Sequence, residues 1–150
     1  MFLTVHAATG IVIGQNISNP LLAFLIGFII HYIFDIIPHG DTKVPKKYKN
    51  PIHIATAGLA DLIILTAFII FLFIIKIELL TPSILLAMLG SMLPDFLQAF
   101  YYIYRKTIFI KTQRIHEFLH DLISKKYEIN FYLGLLFQIS LLIFLTYIII

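Results

Sequence analysis

Residues 114–123 read RIHEFLHDLI, and His116-Glu117-Phe118-Leu119-His120 within them matches H-E-x-x-H. On a helix that spacing sets two imidazoles on one face to hold zinc, while the glutamate activates a water. The match has competitors for the same chemistry. His31 and Asp35 are four residues apart and share a helix face, and His53, Ala57 and Asp61 step along another. Ser91, Asp95, Gln98 and Tyr102 form a polar stripe of their own, and His6 and His39 complete the six histidines. The chain has no cysteine, which excludes disulfides, thiolate metal sites and cysteine nucleophiles. Imidazoles and carboxylates alone suit Zn²⁺, Mn²⁺ or Fe²⁺. A catalytic ion takes about three protein ligands and leaves a position for water, so the candidates suffice for one or two ions. The candidate ligands are His6, His31, Asp35, His39, His53, Asp95, His116 and His120, with Asp61 or Glu117 as the general base. Asp41, Glu78, Asp121 and Glu128 read as ordinary surface charges.

The elements that must position these residues are apolar helices. The chain is 60% hydrophobic and 13% charged, with a mean hydropathy of +0.96, against about 45–50% and about 25% in a soluble domain. Runs at 20–37, 52–75, 83–104 and 131–150 approach or reach the roughly 20 residues of a spanning helix. A shorter one, 2–18, carries His6, Gln15 and Asn16, and suits a short span inside the bundle or a re-entrant or interfacial helix. Asn19-Pro20, Asn50-Pro51 and Thr81-Pro82 each place a capping side chain before a proline at the first helical position, and Asn130 caps the last run. Pro38 turns Ile37 out of the helix and leaves His39 in a turn. Segment 107–127 reads as an amphipathic helix lying against the bilayer through Ile108, Ile115, Phe118, Leu119, Leu122 and Ile123. The expected fold is an all-α polytopic bundle of four to five transmembrane helices plus this juxtamembrane helix, in one membrane domain.

Charge gives the orientation. Of eleven Lys and Arg, all but Lys76 fall in 38–51 or 105–130, which the positive-inside rule makes cytoplasmic, together with the N-terminus. The net charge of +3 follows from those loops and carries no suggestion of nucleic-acid binding. At ~1.5 Å per residue, Asp61 and Asp95 lie ~15 Å from the cytoplasmic ends of their helices, His31 ~12 Å, His6 ~8 Å and Asp35 ~6 Å. Ionisable groups at such depth are costly, so they point to function. All of them fall in the cytoplasmic half. HAATG at 6–10 and HIATAG at 53–58, each followed by a proline-opened returning helix, further suggest that 2–41 and 53–104 are a duplicated hairpin.

His6-x3-Gly10, the helix ending Pro38-His39-Gly40-Asp41 and the triplet Leu93-Pro94-Asp95 resemble the membrane-bound metal-dependent hydrolases. These are the LexA-regulated inner-membrane family, itself distantly similar to zinc-dependent phospholipase C. The resemblance covers roughly residues 1–100. The family's Pro-Asp-x-Asp has His39 for its first acid here, and Pro94-Asp95 is followed by Gln98 without a second Asp. The resemblance implies an inner-membrane hydrolase using a divalent metal, most simply zinc, on a phosphate ester of a lipid. Lys43, Lys46, Lys47, Lys49 and Arg114 would favour an amphipathic, anionic substrate. Two alternatives stand beside it: an intramembrane zinc protease built on His116, Glu117 and His120, and a non-enzymatic scaffold or ion or proton conduit.

Overall fold

The computed structural model describes residues 1–40, 51–75, 81–104 and 107–150, without the side chains of 51–55, 103–104, 107–108 and 124–125. The Asn50 cap, Asp41, Glu78 and the side chains of His53 and Ile108 lie outside the described residues. The fold is all-helical: α1 (Leu3–Asn16), α2 (Pro20–Ile36), α3 (Pro51–Ile75), α4 (Pro82–Tyr104), α5 (Thr107–Tyr127) and α6 (Phe131–Ile149). Thr56–Ile75, Pro82–Tyr102 and Phe131–Ile149 are long and apolar enough to cross a membrane, and Pro20–Ile36 is a shorter apolar helix.

Local signals begin and end the helices. Asn19 Oδ1 accepts from the amides of Leu21 and Leu22, both at 3.1 Å, with Pro20 at the first helical position. Thr81 Oγ1 accepts from Ile84 N at 3.2 Å and Asn130 Oδ1 from Leu133 N at 2.9 Å. α2 stops where Ile37, ahead of Pro38, turns extended at φ −68° and ψ 129°. Pro94, by contrast, lies inside α4, which continues to Tyr104.

α1 is the central helix. Its 14 residues span only ~21 Å, and residues 4–11 are all buried among α2, α3, α4 and α6. Its N-terminus has no cap of its own, and a helix start enclosed in a bundle must still satisfy its amides. Three other helices supply the acceptors. Phe2 N donates to Gln138 Oε1 of α6 at 2.7 Å, and Leu3 N to Asp61 Oδ2 of α3 at 2.6 Å. Thr4 donates to Asp61 Oδ1 through N at 3.4 Å and Oγ1 at 2.6 Å, and the Met1 ammonium reaches Asp35 Oδ1 of α2 at 2.8 Å. Two carboxylates at the positive end of α1 are also favoured by its dipole.

Glycines let the site-bearing helices touch. A Cβ on Gly27 would strike the Ala87 carbonyl, and one on Gly90 the Phe24 carbonyl. α2 and α4 therefore cross backbone to backbone, each through its own glycine, as small residues permit in membrane bundles. Val5, Ala8 and Ile11 of α1 join Leu65 and Leu72 of α3, Ile84 and Met88 of α4, and Leu145 and Ile149 of α6 in the apolar core. The outward rows of α3 and α6, such as Leu59, Ile63 and Ile74 or Leu136, Ile143 and Tyr147, are exposed and apolar.

Candidate metal centre

Asp35 is the hub. Oδ1 lies 3.1 Å from His6 Nε2, and Oδ2 lies 3.1 Å from His116 Nε2 and 3.2 Å from His31 Nε2. Asp95 faces the same group, its Oδ1 3.8 Å from His31 Nε2 and its Oδ2 3.9 Å from His6 Nε2. One ligand atom from each of His31, Asp35, Asp95 and His116 fits within 4.8 Å of all the others. Two ligands held tetrahedrally about 2.0–2.1 Å from one zinc are about 3.3–3.4 Å apart. The three shortest separations around Asp35, at 3.1, 3.1 and 3.2 Å, lie just below that value, and the 3.8 Å between His31 Nε2 and Asp95 Oδ1 lies above it.

Each side chain arrives for a local reason. The i, i+4 spacing puts His31 and Asp35 on the buried face of α2, with Ala23 and Gly27. Pro94 removes an amide from α4 and disturbs the preceding turn, and in that turn the Ser91 carbonyl accepts from His31 Nδ1 at 2.7 Å. A carbonyl can only accept, so the proton is on Nδ1, and in the neutral ring Nε2 presents a lone pair to the carboxylates. That Nε2 is buried and, despite its 3.2 Å approach to Asp35, makes no aligned hydrogen bond. A nitrogen lone pair and a carboxylate oxygen facing one another repel unless a proton or a metal ion lies between them. An imidazole oriented through its far nitrogen by a carbonyl is also the usual setting of a histidine ligand. His6 hangs from α1, with its ring stacked on His31 at 4.1 Å. Ser91 Oγ ties the two helices there by donating to the His6 carbonyl at 2.8 Å.

α5 reaches the site with its polar face. Gln113 and His116 are buried, whereas Ile115, Phe118, Leu122 and Ile123 are exposed, on the outer side of the helix. The H-E-x-x-H motif divides accordingly. His116 joins the cluster, but Glu117 is exposed and accepts from Gln113 Nε2 at 2.9 Å. His120 is placed beside His39, ring to ring at 5.3 Å, with Nδ1 3.5 Å from Asp121 Oδ1. The two histidines of the motif, with centroids 6.4 Å apart, serve different neighbours.

The remaining candidates sit around this group. Asp61 is engaged by α1 and is not among the four clustered ligands. His39 is buried behind the cluster, its Nδ1 donating to the Ile37 carbonyl at 2.7 Å. The His39–Gly40 turn is seated on α6: Gly40 takes a φ of 89°, and Gly134 leaves room for the His39 carbonyl. Glu128, expected on the surface, is buried and holds this turn, accepting from Gly40 N at 2.7 Å and Ile129 N at 3.1 Å. Its correction has a plain cause: the turn leaves an amide inside the bundle, and an acceptor must come to it. Gln138 is the other residue that sequence reasoning missed. It lies mid-way along α6, accepting from Phe2 N and donating to the His39 carbonyl at 3.1 Å. An isolated amide within a 19-residue apolar helix is the signal that could have found it.

Comparison with protein-family models, curated proteins and solved structures finds no match to this chain.

Proposed function

We propose that this chain is a membrane-embedded divalent-metal hydrolase whose metal is held by His31, Asp35, Asp95 and His116. The observation that carries the reading is the buried, unsatisfied Nε2 of His31, aimed at two carboxylates with a second imidazole beside them. A metal there would lower the pKa of bound water and polarise a substrate oxygen. The absence of thiolates favours zinc or manganese.

The protein groups have distinct tasks in this reading. Asp35 supplies charge, holds the rings of His6 and His116, and faces that of His31. Asp95 is 22% exposed while the other three ligands are at most 5% exposed, so substrate and water enter on its side. Tyr32, edge-on to His31 at 5.2 Å and His116 at 5.8 Å, walls the ligands laterally. Asp61, with three donors from α1 on its carboxylate, holds the central helix and does not serve as base. Lys111, Arg114 and Lys126, on the helix that covers the site, would draw an anionic head group to it. A phosphate ester of an amphipathic lipid, cleaved at the cytoplasmic face of the inner membrane, is the substrate class that suits this setting. The reading also accords with the family resemblance in the first hundred residues.

The test uses full-length protein in mild detergent with a fluorescent lipid phosphate ester in mixed micelles. Hydrolysis should stop with chelator and return with Zn²⁺ or Mn²⁺. His116→Ala should lower it at least ~100-fold, the upper end of what orienting partners alone cost, and Glu117→Gln should leave it within about twofold. Loss of that metal-dependent activity with Glu117→Gln would contradict the placing of Glu117 outside the site, and a fully loaded protein inert to phosphate esters would end the hydrolase reading.

A further inference from the structure

The two carboxylates of the site are divided in the same way. Asp35 turns Oδ2 to His31 and His116, and Oδ1 to His6. Asp95 turns Oδ1 to His31 and Oδ2 to His6. Each carboxylate thus spans two imidazoles that are stacked 4.1 Å apart, with planes 29° from parallel. Paired ions in two-metal hydrolytic sites stand about 3.5–4 Å apart, close to the separation of these rings. A single-ion site would need one oxygen from each acid; here the second oxygens of both acids turn to the same further histidine, His6.

We infer that the centre holds two divalent cations bridged by Asp35 and Asp95. One takes His31, His116, Asp35 Oδ2 and Asp95 Oδ1. The other takes His6, Asp35 Oδ1 and Asp95 Oδ2. This rests on the metal-site reading above and extends it to His6. The two ions are unequal. The first has two imidazoles, one of them already oriented by the Ser91 carbonyl. The second has one imidazole and must displace the Met1 ammonium, which lies 2.8 Å from Asp35 Oδ1. Binding is therefore stepwise, with the His6 ion the weaker. Two carboxylates leave two divalent ions with excess positive charge, so the paired form attracts an anion such as a phosphate ester, where a pair of metals can clamp attacking and leaving oxygens together.

The full chain, stripped with chelator and titrated with Mn²⁺, gives the test through bound-metal stoichiometry and electron paramagnetic resonance. About two ions per chain are expected, the second at least about tenfold weaker, with the isolated six-line spectrum giving way to an exchange-coupled one as the second binds. His6→Ala should retain about one ion and the uncoupled spectrum. The milder His6→Gln, which keeps a side chain of similar reach, should likewise lose the coupling if the alanine variant does not fold. Saturation of the unaltered chain at one ion, with no coupled signal, overturns this inference and leaves the single-metal reading intact. No binding by the unaltered chain overturns both.

Discussion

At the scale of residues, what separates the site from ordinary intramembrane polarity is the number of obligations on one carboxylate. Asp35 serves an ammonium and three imidazoles, while Asp61, equally conspicuous in the sequence, serves the start of α1 among the described residues. Sequence spacing could propose both acids but could not divide their roles, because the decision lies in contacts 34 and 58 residues apart along the chain. Their variants should separate. Asp61→Leu leaves the Leu3 amide and Thr4 hydroxyl without an acceptor, and should cost ~1–3 kcal/mol in reversible detergent unfolding, with faster hydrogen exchange at residues 3 and 4 and metal content kept in the folded fraction. Asp35→Asn should abolish metal binding. An Asp61→Leu protein that folds with unchanged stability and exchange would remove the capping role.

At the scale of elements, local chemistry was legible and orientation was not. Asn19, Thr81 and Asn130 marked helix starts, and Pro38 marked an end, because caps and proline sterics act within a few residues. The apolar row of α5 was legible too. What the sequence did not reveal was that its polar row, Gln113 and His116, turns into the bundle, since periodicity identifies two faces without saying what covers each. The α2–α4 crossing was hidden for a similar reason. Gly27 and Gly90 look like any glycines in apolar helices until their partners, Ala87 and Phe24, are known. Gly90→Val should push α4 from the Phe24 carbonyl, destabilise the bundle by ~1–3 kcal/mol and weaken metal binding, because His31 and Asp35 on α2 face Asp95 on α4. A Gly90→Val protein with native stability and metal affinity would contradict that coupling.

At the scale of the whole molecule, the bundle surrounds a short helix whose N-terminal end is capped by its neighbours, and gathers at that end its buried histidines and acids. Composition alone announced the apolar helices. The choice of His31, Asp35, Asp95 and His116 required the three-dimensional packing of α2, α4 and α5 around α1. The central claim is that this gathering is a metal site. Anomalous X-ray scattering at the zinc edge, from crystals of the zinc-loaded full chain, tests it most directly. The account predicts a peak about 2.0–2.2 Å from His31 Nε2, His116 Nε2, Asp35 Oδ2 and an Asp95 oxygen. A zinc-loaded crystal whose peaks fall only at His120, Glu117 or the molecular surface would contradict it.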